Sequence, residues 1–332
     1  MAYINTFLAH FRNIQDWGLR NQASINLDVI SFALEVKCRS RYFSFHPQFV
    51  TALDGFFANT DKLTTSTGGF AGWLPYRPLS YELSQDKLKF KQFIASAGLK
   101  TPDGWLLDEG ARAPGLDYIL KRSSGSYGHE LSGPFKAGSL PAAQTQPQQR
   151  GQPRGMLFAE QYIGGDALKL WCWGQRPVFA HVQQPKRVKA DGKGTMRKLV
   201  EAYLAKSGQT LEGYSERHVL HDCLAYQGLT LDDVPPAGSD PLVDYRYGRQ
   251  SSSRGLGSDN ALPELVPDVQ KEAGRVAKAV AGALRSVLPA PVLYSLDGVI
   301  GEQGDVWWLE INSNPTMPPE GYDAMLSEMF IA

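Results

Sequence analysis

Two runs near the end of the chain, residues 292–300 and 306–311, are rich in Val, Leu, Ile, Tyr and Trp, and they flank the turn-like Glu302-Gln303-Gly304-Asp305. β-Branched and aromatic residues on either side of a Gly-containing turn predict a hairpin. With the turn centred on Gln303 and Gly304, Asp297 falls directly opposite Glu310, and the two-residue period of a strand puts Asn312 on the same face as Glu310. Opposed carboxylates repel by roughly several tenths of a kcal/mol or more, so a cation between them is expected. An all-oxygen ligand set suits Mg²⁺ better than Zn²⁺. Trp307, Trp308, Leu309 and Ile311 make the hairpin too apolar to be wholly exposed.

Upstream, residues 1–83 predict a small α/β lobe. Leu27, Ile30, Ala33 and Leu34 recur at helical spacing over 26–36, residues 41–45 alternate as a strand, and 68–78 read as a loop. A helix is expected from a cap at Ser84, with Leu88, Phe90, Phe93, Ile94 and Ala97 on its apolar face and its stop at Gly98. Lys87 lies in the first turn, where the helix dipole disfavours a cation, so an anion docked there would account for it. A short apolar run from Asp117 delivers Lys121 into Ser123-Ser124-Gly125-Ser126-Tyr127-Gly128, whose small residues would let backbone amides approach a phosphate. The spacing is that of neither a Walker A loop nor a dinucleotide fingerprint.

Residues 133–155 are Pro, Gln, Ala and Gly with few large apolar side chains, and read as a flexible insertion outside the fold elements. A strand from Met156 follows, then a hairpin turning at Gly174-Gln175, a loop carrying Arg187, Lys189 and Lys193, and a long amphipathic helix over 261–288. His218, His221 and Cys223 lie close together, but no fourth ligand is near and the segment reads as a helix, so no zinc site is expected.

Composition narrows the class. The chain has 332 residues, enough for two or three lobes, with 34 Lys plus Arg against 34 Asp plus Glu. That balance gives no reason to expect nucleic acid or an anionic membrane as partner. The three cysteines, Cys38, Cys172 and Cys223, are widely spaced and read as reduced thiols. With no charged start leading into an apolar core and no run of 18 or more apolar residues, a cytoplasmic protein is expected.

In order and spacing, several pieces resemble the ATP-grasp superfamily, most closely the ATP-grasp module of cyanophycin synthetase and of bifunctional glutathione synthase. They are Asp86-Lys87 with Gly98-Leu99-Lys100-Thr101-Pro102, Leu120-Lys121 with the Gly/Ser loop, Ala159-Glu160-Gln161-Tyr162-Ile163, the stretch from Asp191-Gly192 to Val200, the stretch from Leu224 to Pro235, and Asp297 with Glu310-Ile311-Asn312-Ser313-Asn314-Pro315. The resemblance spans about residue 25 to the C-terminus. It implies an α+β ATP-grasp fold, with two α/β lobes clamping nucleotide behind the small N-terminal lobe: a lid lobe over 84–163 and a metal-bearing C-terminal lobe over 164–332. It also implies an ADP-forming ligase that joins a carboxylate to an amine through an acyl-phosphate, with ATP and Mg²⁺ (Mn²⁺ as alternative) as cofactors.

Carried over by residue, Lys87 and Lys121 would bind ATP phosphates under a lid of Ser123, Ser124, Gly125 and Gly128. Glu160, Tyr162 and Ile163 would meet adenine, and Asp166 the ribose. Asp297, Glu310 and Asn312 would hold the metal, while Lys169, Arg187 and Arg246 would neutralise the transferring group. The chain departs from those relatives after Arg246, where Arg249 and Arg254 complete three arginines in ten residues. Arg grips carboxylates bidentately, so an anionic small-molecule or peptide substrate is one reading and a mobile basic loop the other. An ATP-grasp kinase and a non-catalytic nucleotide-binding protein stand as alternatives, and a homo-oligomer is left open.

Overall fold

The computed structural model describes residues 2–53, 56–107, 113–124, 131–139, 155–214, 217–248 and 259–331. Gly125, Gly128, Arg249, Arg254 and residues 140–154 of the insertion lie outside them.

A helix, α1 (Ala2–Asn21), precedes an antiparallel sheet of β1 (Ser24–Leu27), β2 (Leu34–Cys38), β3 (Arg41–Leu53), β4 (Phe56–Thr60) and β5 (Thr67–Leu74), in the order β1-β2-β3-β4 with β5 also on β3. The helix expected over 26–36 is therefore two strands and the turn between them. Leu34, Val36 and Cys38 are buried while Glu35 and Lys37 are exposed, a strand's alternation, and Ile30 at the turn is 90% exposed. The loop expected over 68–78 is largely β5, whose Phe70, Ala71, Trp73 and Leu74 are buried. Glycines masked that strand. At Gly72, with φ +128°, a Cβ would stand 2.6 Å from the Tyr322 hydroxyl, which accepts a hydrogen bond from the Trp73 amide.

Next come α2 (Glu82–Gln85), α3 (Lys87–Ser96) and a second antiparallel sheet. It is built from β6 (Gly104–Leu106), β7 (Tyr118–Arg122), β8 (Ser132–Phe135) and β9 (Leu157–Gln161), ordered β6-β9-β7-β8. The cap of α3 is Asp86 rather than Ser84, its carboxylate accepting from the amides of Leu88 and Lys89. An aspartate thus occupies the helix end where an anion was expected. Gly133 and Pro134, read as the start of an insertion, lie in β8.

A third sheet is built from β10 (Gly165–Trp173) and β11 (Arg176–Gln183), then, after the short pair β12 (Lys186–Arg187) and β13 (Leu242–Asp244), from β14 (Leu293–Gly301) and β15 (Val306–Ser313), ordered β11-β10-β14-β15. Its helices are α4 (Met196–Ala205), α5 (Arg217–Tyr226), α6 (Pro267–Arg285) and α7 (Gly321–Phe330). One face of the sheet, with Leu168, Leu170, Leu296 and Ile311, packs on the Val/Ala stripe of α6. Met325, Leu326 and Met329 of α7 join Trp17 and Trp73 in the core of the N-terminal lobe, which ties the chain's two ends together. On α5, Cys223 is buried and His218 sits 3.2 Å from the carbonyl of Leu131, so that helix packs against the second sheet. The α+β class holds, and the second and third sheets face each other across a cleft. No helix among the described residues is long and apolar enough to cross a membrane.

Candidate functional site

The register of the third sheet lays out the cleft floor. One row across the four strands reads His181, Lys169, Asp297, Glu310, and the next reads Phe179, Trp171, Ser295, Asn312. Asp297 opposes Glu310 as the hairpin predicted, but the turn is a three-residue loop closed by the Gly301 amide donating to the Asp305 carbonyl (2.8 Å). A bulge between Asp297 and Gly298 leaves Leu309 as an extra residue and restores the expected pairing. It also reverses the strand's parity. Val306 and Trp308 are buried before it and Ile311 after it, which turns Glu310 and Asn312 to the cleft.

Cations already sit where the opposed carboxylates call for them. Lys169 Nζ is 2.5 Å from Asp297 Oδ1 and Lys87 Nζ is 3.0 Å from Glu310 Oε2, while Asn312 Nδ2 donates to Asp297 Oδ2 at 3.1 Å. Burial pushes the Glu310 carboxyl up, but Lys87 and Lys121 outweigh it and hold the group down at about 2. Burial also pushes Asp297 up; Lys169 opposes this and Glu310 adds to it, so its net shift is upward. Both side chains remain 21–23% exposed, enough to be met from the cleft.

Lys121 is spoken for. It and Lys91 grip Glu160, with Lys121 Nζ 2.5 Å from Oε1 and Lys91 Nζ 2.6 Å from Oε2. Glu160 is fully buried, so its carboxylate serves the two lysines and does not face an adenine. Burial draws Lys91 down to about 8 against the pull of Glu160. Lys91 went unnoticed in the sequence, although a lysine set between Phe90 and Ile94 on a buried helix face was its signal.

Around the cleft, Ser123 and Ser124 are stitched in place. The Lys87 amide donates to the Ser123 carbonyl (2.8 Å), the Met156 amide to Ser123 Oγ (3.0 Å), and Ser124 Oγ to the Gln85 carbonyl (3.0 Å). Tyr162 stands edge-on to Tyr226 and Tyr245, with Ile163 beside it on the wall. Two assignments need correction. Asp166 is three residues from Lys169, hence on the opposite strand face, and does not line the cleft, so it is misplaced for a ribose. Arg187 is exposed and donates to the Asp240 carbonyl, while its neighbour Lys186 lines the cleft.

Lys186 and Arg246 share Asp244, with Lys186 Nζ 2.9 Å from Oδ2 and Arg246 Nε 3.1 Å from Oδ1. Burial pushes the Asp244 carboxyl up, but Arg246 and Lys186 prevail and hold it down. The whole cleft encloses about 1660 Å³.

No family model and no curated protein matches this chain. Solved structures do align with it. The bifunctional glutathione synthetase from Pasteurella multocida aligns at 14% identity and a TM-score of 0.42, over 93% of this chain and 40% of that one. The D-alanine–D-alanine ligase from Bacillus anthracis aligns at 14% identity and a TM-score of 0.37, over 74% and 63%. A biotin carboxylase from Campylobacter jejuni aligns at 13% identity and a TM-score of 0.34, over 74% and 43%. This chain thus spans about two-fifths of the length of that glutathione synthetase.

The donors fit a hard divalent cation. Two accessible carboxylates and an amide converge on one patch of sheet, and the lysines that touch them show that positive charge is stable there. Asp297, Glu310 and Asn312 would hold it.

Proposed function

We propose that this chain is an ATP-grasp carboxylate–amine ligase that releases ADP and phosphate. The observation that carries the reading is the row Lys169, Asp297, Glu310 with Lys87 on the floor of a cleft whose opposite wall presents Lys121. Phosphoryl transfer asks a protein for positioning and charge, and these residues supply both without a nucleophile of their own.

In this reading a substrate carboxylate oxygen attacks the γ-phosphorus of ATP, the bond to the β-phosphate oxygen breaks, and ADP leaves. An amine then attacks the acyl carbon, a C–N bond forms, phosphate departs and the amine nitrogen gives up a proton. When bound, Mg²⁺ neutralises charge on the phosphate oxygens. Lys87 and Lys169 turn from the carboxylates to the phosphates, and Lys121, oriented by Glu160, faces the same anions. Arg246, set by Asp244, meets the carboxylate substrate or its acyl-phosphate, which places the anionic end of the substrate at that rim. Tyr162, Tyr245 and Ile163 offer an apolar wall to the base. Arg187 and Asp166 take no part. The three cysteines are buried and unpaired, in keeping with a reducing, cytoplasmic setting.

Incubation with ATP, Mg²⁺ and pools of amino acids and peptides, read by mass, tests the reading. A ligase product has the summed mass of two substrates less water, whereas a kinase product gains a phosphate and would overturn the ligase assignment.

A further inference from the structure

Two ammonium groups share one carboxylate at the wall of the cleft, and they differ in how they are held. Glu160 sits opposite Ile119 in the register of the second sheet, so its side chain lies on the same face as Lys121, two residues further along β7. Lys121 and Glu160 line the cleft, whereas Lys91, which comes to Glu160 from α3, does not. The Lys91 ammonium has three N–H donors and each has an acceptor: Glu160 Oε2 at 2.6 Å, the Pro102 carbonyl at 2.7 Å and Thr101 Oγ1 at 3.1 Å. Lys121 Nζ has one acceptor among the described residues, Glu160 Oε1 at 2.5 Å. Lys91 is thus fastened at three points and Lys121 at one.

Within the triad two positive charges stand against one negative, and the surplus is felt in the cleft. Lys121 is among the causes that hold the Glu310 carboxyl down at about 2. Lys121 therefore has anions on two sides, Glu160 behind it and Glu310, with any phosphate bound there, in front. If Glu160 had Lys121 alone, a turn of Lys121 toward a phosphate would leave a buried carboxylate without a partner, a costly state. With Lys91 in place, Glu160 keeps a fixed cation whichever way Lys121 points.

We propose that Lys91 is a positioning residue for nucleotide binding: as the resident counter-ion of Glu160 it releases Lys121 to the phosphates without touching the nucleotide itself. This deepens the ligase reading and rests on it. A triad that only tied α3 to the second sheet would leave nucleotide affinity indifferent to the proton on Lys91. Burial draws Lys91 down to about 8, and the charged groups that face it are Glu160 of β9, Lys121 of β7 and Asp103 just ahead of β6. Loss of that proton does to Glu160 what Lys91→Met does, so the gain in affinity is present below about pH 8 and is lost as pH rises through it.

The test is calorimetric titration with Mg-AMP-PNP of wild type, Lys91→Met and Lys91→Met/Glu160→Gln from pH 7 to 9, with thermal unfolding of each. At pH 7 Lys91→Met is expected to bind about tenfold more weakly than wild type, and the double variant, in which Lys121 has no carboxylate to leave, within about threefold of wild type. By pH 9 the advantage of wild type over Lys91→Met should shrink to about twofold, the nucleotide's own titration being common to both. Undiminished affinity in folded Lys91→Met, no recovery in the folded double variant, or a wild-type advantage that stays constant with pH overturns the proposal. Should Lys91→Met fail to fold, the other two proteins decide: wild type must lose at least about threefold in affinity relative to the double variant between pH 7 and 9, and a constant ratio overturns the proposal. Failure of wild type to bind Mg-AMP-PNP at any pH would overturn the ligase reading itself and this inference with it.

Discussion

Lys91 and Lys121 meet on one carboxylate, that of the fully buried Glu160, at the inner wall of the cleft. The triad joins α3 to the second sheet and holds Lys121 at the cleft. Removing the charge of Glu160 would leave two buried cations facing each other, a class of change that costs about 3–5 kcal/mol. Glu160→Gln is therefore expected to lower the denaturant midpoint strongly. Adding Lys91→Met should recover more than 1 kcal/mol of the loss, roughly the coupling of groups in one network. Equal destabilisation by the single and double variants in urea titrations would show that the triad is not coupled.

Asp222 gives the fold a pH dependence. Burial lifts its carboxyl to about 6 from the ordinary 3.8, against the opposing hydrogen bond from the Gly133 amide at 2.7 Å. The folded chain therefore holds this proton more tightly than the unfolded chain does. The group's favourable contribution is complete below about pH 4 and is lost as pH rises through about 6. Asn keeps the acceptor without the charge, so Asp222→Asn should gain on the order of 1 kcal/mol at pH 7, discounted for partial solvation, and nothing at pH 3.5. A difference between variant and wild type that stays constant across this range contradicts the assignment.

Two glycines should respond oppositely to alanine. At Gly165, with φ +150°, a Cβ would lie 2.1 Å from the Ile300 carbonyl oxygen, so Gly165→Ala must push β10 off β14 at the edge of the cleft. A loss of about 2 kcal/mol or more is expected. Gly282 lies within α6 with nothing near the site of its Cβ, and Gly282→Ala should gain roughly 0.5–1 kcal/mol. Melting curves of the two variants check both signs.

Much of this was legible from periodicity and spacing. The Asp297–Glu310 pairing, the Lys169 hairpin and the strand bearing Lys121 follow from alternation and turn residues, which act locally. Long-range partners were not legible. Asp166 and Arg187 rest on the family resemblance alone, and a strand's two-residue period sends each away from the cleft while Lys186, one position from Arg187, enters it. The N-terminal lobe misled for a related reason: in β1 and β2 two short alternations separated by a turn mimic a helix, and in β5 glycines required by close contact with Tyr322 erase the strand pattern. The hydrogen bond from Asn59 to the carbonyl of Asn314, 255 residues further along the chain, is likewise one that no local pattern encodes.

The central claim is that Asp297 and Glu310 form the metal end of an ATP site, and calorimetric titration of AMP-PNP with and without Mg²⁺ tests it most directly. Wild-type protein should bind the nucleotide at least tenfold more tightly with Mg²⁺. In Asp297→Asn and Glu310→Gln the gain from Mg²⁺ should vanish and ATP turnover fall at least a hundredfold, while thermal unfolding remains cooperative. An undiminished Mg²⁺ gain and full turnover in both folded variants would contradict the claim and remove the hairpin from the site.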